Sequence, residues 1–127
     1  MKRVITIMLA SLLLSVSGFA LADPVTEVWT CTLNDGKTAE DSQATGKKWV
    51  AFVRKLTGND EITSSWVSAV VGDVGTFLWV DTYPSLEVWA AAQTALNNSE
   101  EFAPIGEELG ENETCSGNRL YRGVVVD

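Results

Sequence analysis

The sequence predicts an α+β fold: a four-stranded antiparallel sheet with two main helices on one of its faces. Three observations carry that expectation. Apolar patterning alternates between period two and period 3.6 in the order β-α-β-β-α-β. Both helical stretches open on residues suited to capping, and a glycine-bounded turn joins the second strand to the third.

Each element has a local reason. Glu27–Leu33 is rich in β-branched and aromatic residues and runs into Asn34-Asp35-Gly36, a strand followed by a turn. Thr38-Ala39-Glu40-Asp41 resembles a capping box and opens a helix from about Ala39 to Leu56. Trp49, Phe52, Val53 and Leu56 form one apolar stripe along it, and Gly46 weakens its middle by about 1 kcal/mol relative to alanine. Thr57-Gly58-Asn59-Asp60 closes the helix. Glu61–Val71 reads as the second strand, Gly72–Gly75 as a hairpin turn and Thr76–Asp81 as the third strand. Pro84 and Ser85 open the second helix, with Ser85 as N-cap and Leu86, Trp89, Ala90, Gln93 and Leu96 along one side. Ser99 caps a short further helix carrying Phe102, Ile105 and Leu109. Cys115–Asn118 reads as a loop and Leu120–Val126 as the last strand. This is the ferredoxin-like split βαβ pattern, and right-handed crossovers place its strands in the order 4-1-3-2.

The chain has 127 residues, 9 Lys+Arg against 17 Asp+Glu, five Trp, two Cys and no His. Its length allows one domain. Without histidine there is no Ser–His–Asp or Cys–His catalysis and no His-ligated zinc or haem. Two cysteines cannot build a four-thiolate cluster, so neither a metal nor a cofactor is expected, and the residues alone name no reaction. Lys2 and Arg3, the apolar run Val4–Val16 and Ala20-Leu21-Ala22 have the form of a cleavable signal peptide spanning residues 1–22. The apolar run is shorter than the roughly 20 residues needed to cross a bilayer. Taking 22 from 127 leaves 105 residues, 23–127, as a single ferredoxin-like domain. Losing two cations leaves 7 against 17 acidic residues, a net charge of −10. Such a surface disfavours nucleic acid and anionic membrane as partners. The expected location is a bacterial periplasm or the medium outside the cell.

Export into an oxidising compartment predicts a disulfide between Cys31 and Cys115, worth about 4–5 kcal/mol before strain. The topology agrees, since the entry to strand 4 lies beside the exit of strand 1. The strands also place apolar residues on both faces: Phe77 and Trp79 against Leu78 and Val80, Tyr121 and Val125 against Leu120, Val124 and Val126, and Ile62, Trp66 and Val70 against Val67, Ala69 and Val71. Helices cover one face, and a second copy packed on the other makes a homodimer.

The element order, the two-faced sheet and the stretch Gly75-Thr76-Phe77-Leu78-Trp79-Val80-Asp81-Thr82-Tyr83-Pro84-Ser85-Leu86-Glu87-Val88-Trp89 resemble the dimeric α+β barrel superfamily. The antibiotic-biosynthesis-monooxygenase-like and NIPSNAP-like branches are the nearest in pattern, as are small exported bacterial proteins. The resemblance implies a pocket between sheet and helices for a small, often aromatic molecule. It also implies that haem degradation, which uses a histidine ligand in that superfamily, is absent here. Cofactor-free oxygenases of the group use Asn, Trp, Tyr and Arg side chains, types that Trp66, Trp79, Tyr121 and Arg122 supply; these four are the candidate ligand-binding residues.

Trp49, Trp89 and Trp29 read as packing. The glutamates at 100, 101, 107, 108, 111 and 113 read as a solvated acidic face, because the spacing of a calcium loop is missing. Asp35 and Asp81 end strands, as turn residues or as a general base at the sheet edge. Arg122 reads as a surface ion pair, a counter-charge for an acidic ligand or a partner for Asp81. Two functions follow: a dimeric barrel that binds a small apolar or aromatic ligand or is purely structural, and a cofactor-independent monooxygenase or isomerase acting on an aromatic substrate. An enclosed cavity above about 300 Å³ with a buried polar group separates binder or enzyme from a structural module.

Overall fold

A computed structural model describes residues 23–124 and 126–127. The signal sequence expected at 1–22 lies outside the described residues. Four strands, β1 (Val25–Leu33), β2 (Thr63–Ser68), β3 (Phe77–Tyr83) and β4 (Glu113–Arg122), form one antiparallel sheet in the order β2-β3-β1-β4. That is the 4-1-3-2 order expected from the sequence, read from the other edge. Helices α1 (Ala39–Thr57), α2 (Leu86–Asn97) and α3 (Ala103–Asn112) pack on one face, with a 3-10 turn at Glu100–Phe102 leading into α3.

The caps of α1 and α2 act as their residue types dictate, whereas Ser99, expected to cap the short further helix, precedes the 3-10 turn and makes no side-chain capping bond. The Thr38 hydroxyl accepts from Asp41 N–H at 3.2 Å while the Asp41 carboxylate accepts from Thr38 N–H at 2.9 Å. That backbone bond is the main reason the Asp41 carboxyl is held below its ordinary range. Ser85 caps α2 by accepting from Val88 N–H at 3.2 Å. Gly58 ends α1 at φ 66°, in the left-handed region that favours glycine. Along the expected stripe of α1, Val53 is buried and Trp49 and Phe52 are half-buried, whereas Leu56 is exposed at the end of the helix.

The strand bounds differ most from the sequence expectation in β2 and β4. Strand β2 stops at Ser68, and Val70 and Val71 lie exposed in the connection beyond it. Strand β4 begins at Glu113, so Cys115–Asn118 is strand rather than loop, and the strand ends at Arg122 before Val124 and Val126. Ser-Gly-Asn is turn-like in composition, but β4 is an edge strand. Its polar, exposed residues are held by the ladder to β1, and an edge tolerates them. A register shift at Thr30/Cys31 makes Ser116 a bulge, which lets both ends of β4 keep pairing. The disulfide Cys31–Cys115 joins residues directly opposite in register, with Cα atoms 3.9 Å apart.

Two apolar clusters hold the helix-facing side. One contains Val25, Val53, Ile62, Tyr83, Ala92 and Leu96; the other contains Cys31, Phe77 and Trp79, flanked by Trp29, Leu33 and Trp66. Between them lies a polar gap in which the site sits.

Candidate ligand cavity

The gap follows from strand pairing. Going along β1 and β3, the residues facing the helices are paired Val25 with Tyr83, Glu27 with Asp81, Trp29 with Trp79 and Cys31 with Phe77. Alternation therefore drives one acidic pair into the interior between two apolar ones. Glu27 is 3% exposed and Asp81 5%. Glu113, at the start of β4, is 6% exposed and adds a third carboxyl to the same side.

These carboxyls border a cavity of about 390 Å³ between the sheet and the helices. Its apolar walls include Trp29, Trp49, Trp79, Phe102 and Leu109, and Cys115 of the disulfide is also part of its lining. Gly46 on α1 closes over Trp79. A Cβ built there would come within 2.1 Å of the indole ring, so only a glycine lets the helix approach so closely.

Each carboxyl is held by neutral donors. Glu27 accepts from Trp89 Nε1 at 3.1 Å and Gln93 Nε2 at 3.2 Å on α2, and from Asn118 Nδ2 at 2.9 Å on β4. Glu113 accepts from Trp79 Nε1 at 2.6 Å and from the Ser42 hydroxyl on α1. Asp81 accepts from Ser64 Oγ at 2.5 Å. Beside this group, Asn112 Nδ2 donates to Thr45 Oγ1 at 2.9 Å, and Thr45 donates to Glu108 at 2.8 Å. Among the described residues the ion pair is Lys48 with Glu108 at 2.8 Å, at the surface and away from the buried carboxyls.

Burial shifts the titration of Asp81. Desolvation pushes the Asp81 carboxyl up to about 7, and the neighbouring Glu27 charge adds to the shift while the Ser64 hydrogen bond opposes it. Tyr83, the next inward residue on β3, is raised by burial and then by the charges of Asp81 and Glu27. Its hydroxyl is fully buried and makes no hydrogen bond of good geometry. Asp81 is thus a proton-accepting group poised near neutrality on the wall of a cavity.

The four residues nominated from sequence divide. Trp66 and Trp79 are paired across β2 and β3, and Trp66 stacks on Phe77 with ring centroids 4.7 Å apart. Trp79 borders both this cavity and a second hollow beside it; Trp66 borders the second hollow, and its indole N–H is buried without a partner among the described residues. Tyr121 pairs with Thr26, whose side chain is on the open face, and is 48% exposed. Arg122 pairs with Val25 at the end of β4, where its charge acts on Glu87 rather than on Asp81. Sequence reasoning missed Glu27 and the inward position of Glu113. Glu27 was legible in the alternation Val25, Glu27, Trp29, Cys31. Glu113 was not, because its place depends on where β4 begins. Asp81 lies inside its strand rather than at a sheet edge.

Comparison with known proteins agrees with the topology. No protein-family model and no curated protein matches the chain. Solved structures do. SnoaB, a cofactor-independent oxygenase from Streptomyces nogalater, superposes with a TM-score of 0.60 at 13% identity, over 83% of this chain and 97% of its own. A NIPSNAP family protein from Agrobacterium tumefaciens gives 0.61 at 16% identity, over 81% and 88%. An uncharacterised NIPSNAP-like domain protein from Burkholderia xenovorans gives 0.56 at 12% identity, over 82% and 86%. The chain has the ferredoxin-like fold. At such identities the likeness concerns that fold, and the contents of the cavity must be read from this chain's own residues.

Proposed function

We propose that the chain is an exported, homodimeric binding protein whose ferredoxin-like domain takes a small aromatic ligand between its sheet and helices. The observation that carries this reading is the 390 Å³ cavity with three buried carboxyls on its wall. Its volume lies in the range of small-molecule sites, and its lining combines aromatic surface with a few convergent polar groups. A purely structural domain gains nothing from burying three acidic side chains, each of which loses hydration. The disulfide supports an oxidising compartment, and hence the export expected from residues 1–22. Native mass spectrometry of protein purified from its own host tests the whole reading. It should report a dimer of chains beginning at Asp23, lighter by two hydrogens per chain than the reduced form, with a retained small molecule. Chains that are dimeric but devoid of any ligand-exchangeable mass, and that bind no aromatic compound added back, would sink the binding function.

A second reading is favoured by one specific group. Asp81, raised to about 7, is suited to accept a proton from an acidic carbon or hydroxyl of a bound aromatic substrate. Activity without a cofactor, as a monooxygenase or isomerase, is then the function of the same cavity; SnoaB is a cofactor-independent oxygenase with this fold. Turnover that follows one ionisation near neutral pH, and that is lost in Asp81→Asn while ligand binding persists, distinguishes enzyme from binder.

A further inference from the structure

We propose that the ligand of the helix-side cavity is a small aromatic cation of the arylalkylammonium type, with Glu27, Asp81 and Glu113 supplying its counter-charge. The ligand's charge, an inference that rests on the cavity being a ligand site, follows from what surrounds the cavity and from what is missing there. Three carboxyls from three different strands converge on it, all more than nine-tenths buried. Among the described residues no lysine or arginine borders it: Lys47 borders the neighbouring hollow, and Lys48 is paired with Glu108. Among the described residues, every hydrogen bond these carboxyls accept comes from a neutral donor, an indole, an amide or a hydroxyl. Buried acidic groups in that state lack a counter-ion.

The walls favour the same chemistry. Trp29, Trp49, Trp79 and Phe102 border the cavity, and the faces of such rings attract cations as well as aromatic rings. Aromatic walls with carboxylates and no cation make up the lining that recognises an organic ammonium ion. A hard metal ion fits less well. It needs six to eight oxygens converging on a point, whereas the carboxyls here are spread over β1, β3 and β4. Among the described residues, the one trio of ligand atoms within 4.8 Å is that of Cys31, Glu113 and Cys115, and the disulfide uses both sulfurs. An elongated organic cation reaches separated carboxyls while its ring fills the aromatic part of the cavity.

The test compares three probes of one shape on the mature, disulfide-bonded protein by titration calorimetry at about pH 8: phenethylamine, 2-phenylethanol and phenylacetate. Phenethylamine should bind about tenfold or more tighter than 2-phenylethanol, and phenylacetate should give no binding heat. In Asp81→Asn the amine should weaken about fivefold or more while the alcohol stays within about twofold, which also shows that the variant is folded. Equal affinity for amine and alcohol, or preference for phenylacetate, overturns the cation assignment and leaves the aromatic-ligand reading standing. Failure of all three to bind overturns both. The wild-type contrast decides the matter even if Asp81→Asn does not fold.

Discussion

A methyl group at residue 46 would overlap the Trp79 ring, and that one contact explains a helix-weakening glycine in the middle of α1. Propensity alone says that Gly46→Ala should stabilise the helix by about 1 kcal/mol. The indole cannot retreat easily, because its N–H is tied to Glu113 and its ring is packed edge-on against Phe77. Overpacking therefore wins, and Gly46→Ala should lose about 1–3 kcal/mol in urea unfolding; an unchanged or higher midpoint contradicts the close approach. Asp81 gives a pH signature. Its carboxyl is raised from 3.8 to about 7 in the folded protein, so between those values the folded state binds more protons than the unfolded one. Stability from this group is complete below about pH 4 and is lost as pH rises through 7, a loss on the order of 4 kcal/mol at most. The urea midpoint of the wild type should fall between about pH 5 and 8, while Asp81→Asn should be nearly flat there and more stable at pH 8. The alternation that buries Asp81 and Glu27 was visible in the sequence. The cavity beside them was not, since no linear pattern shows how far helices stand from a sheet.

At the scale of elements, β4 is the informative case. Its first half looks like a loop by composition, and it is a strand because β1 offers a ladder from Val25 to Leu33 and the disulfide fixes Cys115 against Cys31. The exposed, polar character of an edge strand is what hid it, since alternation is legible where one face is buried. Helix α1 was the opposite case: a capping box, an apolar stripe and a glycine stop gave its bounds to within a residue. Strand β4 also carries Glu113 and Asn118 into the polar gap, so its attachment and the cavity depend on each other. Reducing the disulfide, or replacing both cysteines by serine, should cost about 2–5 kcal/mol by chemical unfolding. The same change should weaken ligand binding to the cavity, measured by titration at a temperature where the variant remains folded. Equal stability of oxidised and reduced chains would show that the β1–β4 ladder alone holds the edge.

For the molecule as a whole, the face of the sheet turned away from the helices is open. Val28, Leu78 and Val80 lie half-buried at its centre, with the exposed Val67 and Tyr121 toward its edges and threonines 26, 30 and 82 between. The apolar part is narrower than the strand patterns implied, because Val70 and Val71 lie beyond β2. It is still the surface on which the proposed homodimer depends. Light scattering at micromolar concentration should give twice the chain mass, and Val80→Lys should bring it to one; a monomeric wild type removes the dimer. The chain's net charge of −8 and the three buried acids are of one sign, which favours partners that carry positive charge.

By itself the sequence determined the order of the main elements, the strand topology, the caps of α1 and α2 and the pairing of Cys31 with Cys115. These follow from periodicity, local hydrogen bonding and the handedness of connections, all of which are encoded within short stretches or in simple chain geometry. The tertiary structure decided which acidic residues meet. Glu27, Asp81 and Glu113 are separated by tens of positions in the chain and come together through strand register, a bulge at Ser116 and the distance Gly46 sets between helix and sheet. Burial is a property of that arrangement, and it is burial that turns three ordinary acidic side chains into the wall of a site.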